Sequence, residues 1–246
     1  MPVATHAYGP QRDQVGDLRL PDGGGPHPVV VLIHGGAWRA NWERDLMDSI
    51  AVDLSARGYA TWNLDYRRVA SGGGWPTTCE DAAAGIEALA ALDAPLDLDR
   101  VVLLGHSAGG HLAAWAAAQE GARVKPALVL SLAGVLDLVE GARRGVYERA
   151  IEGLMDGLPE DRDAAYAAAS PAELLPIGTP QLLVHGLLDL ADNVDMNRGY
   201  ADRARAAGDE VEVVELPGAD HFHVIEPGTD AWARIVELLG ERLPVR

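Results

Sequence analysis

Gly105-His106-Ser107-Ala108-Gly109 joins an apolar run, Val101 to Leu104, to an Ala-rich segment, His111 to Gln119. A G-x-S-x-G pentapeptide occurs often by chance and gains meaning from a strand before it and a helix after it, both of which are predicted here. Such a turn is so sharp that side chains at its flanks would strike the neighbouring strand and helix, which explains glycine at both ends. The Ser107 hydroxyl then projects above the sheet at a helix N-terminus, where the dipole favours developing negative charge, and reads as a nucleophile. His34-Gly35-Gly36-Ala37-Trp38 follows the apolar run Val29 to Ile33 in the same way. The amides of Gly36 and Ala37, paired with that of Ala108, are candidates to hold the oxyanion of a tetrahedral acyl intermediate. Donors of this kind are typically worth about 10²–10³ in rate. Gly35 shapes the turn, and His34 reads as holding the loop rather than as an acid or base.

A serine nucleophile needs a base, and the base needs an orienting acid. Two later strand ends offer them: Leu182 to Val184 runs into His185-Gly186-Leu187-Leu188-Asp189, and the strand ending at Leu216 runs into Pro217-Gly218-Ala219-Asp220-His221-Phe222. Asp189 is the expected acid and His221 the expected general base, with Asp192 and His223 as their rivals one turn or two residues further on. His106 and His185 read as hydrogen-bonded structural histidines. The resulting chemistry is acyl transfer through a covalent intermediate on Ser107. Trp38, Tyr66 and Trp75, with Trp42, are candidates to line an acyl or aryl pocket, core packing being the alternative for each.

These loops need a rigid frame. Short apolar runs alternate with helix-period segments, the pattern of an α/β fold with a mainly parallel central sheet and helices on both faces. Val29–Ile33, Val101–Leu104, Ala127–Leu130 and Leu182–Val184 are apolar without alternation, as central strands covered on both faces should be. Thr61–Tyr66 and Glu210–Leu216 alternate and are expected nearer a sheet edge. Ile86, Leu89 and Leu92 share one helical face, Trp232, Ile235, Val236 and Leu239 another, and Gly208 is expected to end a helix over 196–207. Residues 1–246 read as a single domain, with 134–180, rich in glycine and in short helical pieces, as a small lid inserted over the sheet.

Composition narrows the partners. With 20 Lys+Arg against 37 Asp+Glu the net charge is −17, which disfavours nucleic acid and anionic membrane surfaces and weakly favours neutral substrates. The one cysteine, Cys79, excludes an internal disulfide and a thiolate metal site and suits a reducing cytoplasm. No basic n-region or apolar h-region opens the chain, and no stretch approaches the roughly 18 apolar residues of a membrane span. His34, His185 and His221 lack the spacing of a zinc site, and neither a phosphate-binding loop nor G-x-G-x-x-G is present, so no metal or nucleotide is expected.

The order Ser107, Asp189, His221, each at a successive strand end, resembles the triad of the α/β-hydrolases. The His34–Trp38 segment, Gly105-His106-Ser107-Ala108-Gly109-Gly110-His111-Leu112 and Asp220-His221-Phe222-His223 are similar to those of esterases, lipases and arylformamidases of the kynurenine formamidase group. The resemblance runs from Val29 to the C-terminal helix. It implies a cofactor-free serine hydrolase acting on a small ester, with arylformamide hydrolysis or a non-catalytic ligand-binding module as alternatives. Two departures stand out: the acid loop, Asp189 to Asp195, is longer than the usual Asp-x-x-Val-Pro, and His34-Gly35-Gly36 lacks a third glycine.

Overall fold

The structure, a computed structural model, describes residues 3–245. Eight strands form one sheet: β1 (Val3–Ala7), β2 (Val15–Arg19), β3 (His27–Ile33), β4 (Ala60–Leu64), β5 (Leu96–His106), β6 (Leu128–Leu132), β7 (Gln181–Gly186) and β8 (Val211–Leu216). Their order is β1-β2-β4-β3-β5-β6-β7-β8, with β1, β2 and β4 antiparallel neighbours and β4 to β8 parallel. The helices are α1 (Asp48–Ala56), α2 (Thr77–Glu87), α3 (Ala108–Ala117), α4 (Leu138–Arg144), α5 (Val146–Met155), α6 (Asp163–Ala169), α7 (Ala191–Ala207) and α8 (Asp230–Arg242). Among the described residues no helix is long and apolar enough to cross a membrane.

Because successive side chains of a strand face opposite ways, β3 feeds two cores. Val29, Val31 and Ile33 join Leu112, Trp115, Met196 and Tyr200 on one face. Val30 and Leu32 join Ile50, Leu54, Trp232, Ile235 and Leu239 on the other. Full burial of each such aliphatic side chain is worth about 1.5–3 kcal/mol, so the apolar runs of the central strands fix the sheet. The chain passes from β3 to β4 on one side and then to β5 on the other, making the β3/β5 crevice a topological switch point, where α/β sheets bind ligands beyond their carboxyl ends.

Two expectations, the edge position of β4 and the start of the helix before Gly208, are corrected, and two strands are added. β4 is an interior strand with every residue buried; its alternation reflects a polar side chain held indoors by its amide, Asn63 Nδ2 donating to the Arg44 carbonyl and to Asp48. Two strands, β1 and β2, precede the run at Val29, and their short, polar sequences VATHA and VGDLR carry too little apolar period to read as strands. The helix before Gly208 begins at Ala191, and Gly208 ends it in the left-handed conformation. Segment 134–180 holds α4, α5 and α6, and its apolar residues Ala142, Ile151, Leu154 and Met155 are part of the core over α3.

Candidate active site

Ser107 sits between β5 and α3 with φ 53° and ψ −117°, a region that a non-glycine residue occupies only under strain. The surroundings enforce it. A Cβ at Gly105 would lie 2.1 Å from the Gly109 carbonyl oxygen, and one at Gly109 would lie 1.9 Å from that of Ile33. The Ser107 N–H donates to the Leu132 carbonyl (2.9 Å), tying the turn to the end of β6. Ser107 and the amide of Ala108 thus stand at the start of α3, and no acceptor is within reach of that amide among the described residues.

The register of β3 on β5 pairs Ile33 with Gly105 and sets His34 beside the elbow. The chain then runs through left-handed conformations at Gly36 (φ 105°), Ala37 (φ 53°) and Trp38 (φ 55°). His34, fully buried, donates from Nδ1 to the Gly35 carbonyl (2.7 Å), and its Nε2 faces Asp65 Oδ1 at 3.3 Å. Both partners are hydrogen-bond acceptors that face the ring. A planar trans peptide directs its C=O and the following N–H in opposite senses. Holding the Gly35 carbonyl against His34 therefore turns the Gly36 N–H away from the His34 ring, in a segment whose Gly36 and Ala37 line the cavity. Tyr66 stacks on His34 (centroids 4.3 Å, 10°) and donates to the His34 carbonyl (2.8 Å). Arg68 and Arg44 complete the charges on Asp65. Burial pushes that carboxyl up, but His34 and then Arg68 outweigh it and hold it below its ordinary range.

His221 follows β8 and Asp189 follows β7. His221 Nδ1 donates to Asp189 Oδ2 (2.8 Å), leaving Nε2 for the cavity. The same carboxylate accepts from Asn193 Nδ2 (2.8 Å) and from the Leu190 N–H (2.6 Å), and its side chain is 1% exposed. Burial favours the protonated acid, yet these partners, His221 first, keep it ionised below the usual range. Asp192 lies on the surface, paired with Arg144 (3.1 Å). His223 pairs with Asp220 (2.9 Å) and lines a separate cavity of about 530 Å³ that holds none of these groups. His106 Nε2 donates to the His221 carbonyl (2.9 Å), with the two rings 4.8 Å apart. Burial, reinforced by the neighbouring His221, pushes His106 down to about 3, so it is a neutral brace for the His221 loop. His185 departs from its expected role: Nε2 lies 3.5 Å from Glu215 without a hydrogen bond.

Ser107, Asp189 and His221 open on one cavity of about 320 Å³, lined also by Gly36, Ala37, Arg39, Trp42, Leu46, His106, Tyr147, Leu190 and Phe222. No hydrogen bond joins Ser107 Oγ to His221; catalytic contacts of this kind often tighten only around substrate. Three of the four expected pocket aromatics lie elsewhere. Trp38 is fully buried and donates from Nε1 to His111 Nδ1 (3.2 Å), Tyr66 is fully buried on His34, and Trp75 packs edge-on against Trp115 at 5.9 Å. The left-handed turn at Ala37 and Trp38 accompanies the burial of the Trp38 indole, whereas Trp42 reaches the cavity and stacks with Phe222 at 6.5 Å. Tyr147 had no periodic signal to mark it. It lies in a left-handed stretch, Tyr147 to Arg149, and Arg39 holds that stretch through Glu148 (2.8 Å) and the Tyr147 carbonyl (3.2 Å). Among the described residues no group of three or more His, Cys, Asp or Glu is placed to hold a metal.

Residues 17–198, about three quarters of the chain, match the BD-FAE family model; the match includes Ser107 and Asp189 but stops short of His221. Esterase LipC of Mycobacterium tuberculosis is 29% identical over 222 residues, covering 80% of this chain and 53% of its own. An isoprenylcysteine alpha-carbonyl methylesterase of Arabidopsis thaliana is 28% identical over 239 residues, covering 87% of this chain and 55% of its own. The chain thus spans about half the length of these relatives. A truncated carbohydrate esterase from gut microbiota superposes with a TM-score of 0.85 at 18% identity, over 97% of this chain and 96% of that one, and shares the α/β-hydrolase fold.

Proposed function

The chain belongs to the BD-FAE family, and on that premise we propose that it is a serine hydrolase of carboxylic esters, with Ser107 as nucleophile, His221 as general base and Asp189 as its orienting acid. The observation that carries the proposal is the Asp189–His221 hydrogen bond, which leaves His221 Nε2 and the strained Ser107 opening on the same cavity. Ser107 Oγ attacks the ester carbon as His221 Nε2 takes its proton. The carbonyl oxygen becomes an oxyanion held by the amides of Gly36, Ala37 and Ala108. Collapse breaks the bond to the alcohol, which leaves with the proton from His221, and water repeats the sequence in reverse to free the acid. Asp189 holds the imidazole in the Nδ1–H tautomer and stabilises the imidazolium that forms.

The esterase names of LipC and of the methylesterase favour ester over formamide hydrolysis. The cavity, with Trp42, Leu46, Leu190 and Phe222 on its walls, suits an uncharged substrate, as does the net charge of −17. The chain acts as one domain in which segment 134–180 is a lid, a reading supported by Tyr147 on the cavity wall and by the Arg39–Glu148 tether. Cys79 is fully buried and its thiol is pushed up by that burial, which suits the cytoplasm but identifies no reactive thiol. The test is hydrolysis of p-nitrophenyl acetate and butyrate beside N-formylkynurenine. We expect ester turnover that the Ser107→Ala variant lacks; turnover retained in that variant refutes the mechanism, and a hundredfold preference for the formamide refutes the substrate class.

A further inference from the structure

Eight large hydrophobic side chains are exposed among the described residues; three of them, Trp42, Leu190 and Phe222, line the catalytic cavity, and two more, Leu187 and Leu188, stand in the same loop as Leu190. Trp42, Leu190 and Phe222 both line the catalytic cavity and face solvent, at 36%, 55% and 48% exposure. Leu187 and Leu188, the latter 66% exposed, directly precede Asp189, and their amides are fixed to the Leu216 and Ala219 carbonyls. Hydrophobic side chains scattered singly need no explanation, whereas a contiguous group continuous with a cavity marks a binding surface.

The placement has a direction. Leu187, Leu188 and Leu190 flank the acid and Phe222 follows the base, so the rim lies on the side of His221. In the ester-hydrolase reading, on which this inference rests, His221 protonates the departing alcohol, whose oxygen must come within hydrogen-bond reach of Nε2. The alcohol portion therefore leaves the cavity past His221 and across the rim. We propose that the rim binds the hydrocarbon part of the alcohol, making the preferred substrates small-acyl esters of apolar alcohols. The net charge of −17 argues against an anionic lipid surface as the occupant, and the continuity of the rim with the cavity argues for the substrate itself.

A methylene lying on a half-exposed surface gains about half of what full burial provides, or roughly a twofold rise in kcat/KM per methylene. Two ester series separate the sides: acetates of ethanol to hexanol, and ethyl esters of acetic to hexanoic acid. Four added methylenes on the alcohol predict a hexyl-to-ethyl acetate ratio of roughly 15, with a shallower gradient on the acid. In the double variant Leu187→Ser, Leu188→Ser the alcohol ratio should fall severalfold while the acid ratio holds, and 1-hexanol should lose its advantage over 1-butanol as an inhibitor. A flat alcohol series, a gradient carried by the acid, or an unchanged ratio in the double variant overturns the proposal. So does sedimentation showing a dimer that the double variant dissociates, which assigns the rim to a second copy of the chain. Absence of any Ser107-dependent ester turnover is a different failure, that of the hydrolase reading beneath it.

Discussion

The hydrogen bond from His34 Nδ1 to the Gly35 carbonyl, 2.7 Å long, carries a quantitative consequence. His34→Phe keeps an aromatic ring stacked on Tyr66 but removes both polar contacts. Asp65 retains Arg68, Arg44 and the Tyr66 N–H, so its charge is not left unpaired. The Gly35–Gly36 peptide is then free to rotate, and the direction of the Gly36 N–H is no longer fixed. Outright loss of an oxyanion donor lowers kcat by about 10²–10³; loss of its tether should lower kcat about 10–100-fold, or roughly 1.4–2.7 kcal/mol of transition-state stabilisation. Because the donor acts on charge present only in the transition state, KM should stay within about twofold. Steady-state kinetics on p-nitrophenyl acetate, beside the affinity of a trifluoromethyl ketone that forms an oxyanion at the site, reads both. A fall in kcat matched by the fall in ketone affinity, with KM steady, is the expected result. An unchanged kcat, or a rise in KM alone, refutes the peptide-plane reasoning.

Asp189→Asn should lower kcat by about 10⁴, since the amide favours the wrong His221 tautomer, whereas Asp192→Asn, which removes only a surface pair with Arg144, should leave kcat within twofold; equal losses would contradict the assignment of the acid. Acid should destabilise the fold below about pH 6.5 through His106 and His111, the loss running down to about pH 3 for His106 and about pH 4 for His111, the values to which burial pushes them. The sign follows from proton counts: below the unfolded value of about 6.5 the unfolded chain binds protons that these two rings do not, so stability falls with pH. At pH 5 each ring should remove about 2 kcal/mol, and urea titrations at pH 7 and pH 5 check it, with about half the His-dependent loss expected in His111→Gln. Asp189, also held low, adds its loss only at still lower pH. Gly109→Ala should fail to give soluble folded protein, because its Cβ would meet the Ile33 carbonyl oxygen at 1.9 Å; a folded, active variant would refute the close packing of the elbow.

The legible part of this molecule is what glycine and apolar runs encode. Val29–Ile33 and Val101–Leu104 could only be doubly covered strands, and Gly105 and Gly109 stand where any side chain meets backbone. The loops bearing Asp189 and His221 each follow a predicted strand, one an apolar run and the other alternating, so their meeting at one end of the sheet was readable before any distance was known. The walls of the cavity were not readable in the same way. Trp38 and Trp42 are four residues apart, and only the left-handed turn at Ala37 and Trp38 separates a core indole from a cavity one. Tyr147 arrives from an insertion without period, by way of three left-handed residues that propensity disfavours. Asn63 made an interior strand resemble an edge because its partners, Arg44 and Asp48, come from a distant turn.

The central claim is that Ser107 is an activated nucleophile. Incubation of the folded protein with a fluorophosphonate, followed by peptide mass spectrometry, tests it directly. The account predicts a single phosphonyl adduct on Ser107, formed with release of fluoride and with stoichiometric loss of esterase activity, and much slower labelling of the Asp189→Asn variant. An unlabelled Ser107 in protein that still hydrolyses esters, or an adduct on another residue that tracks the loss of activity, would contradict it.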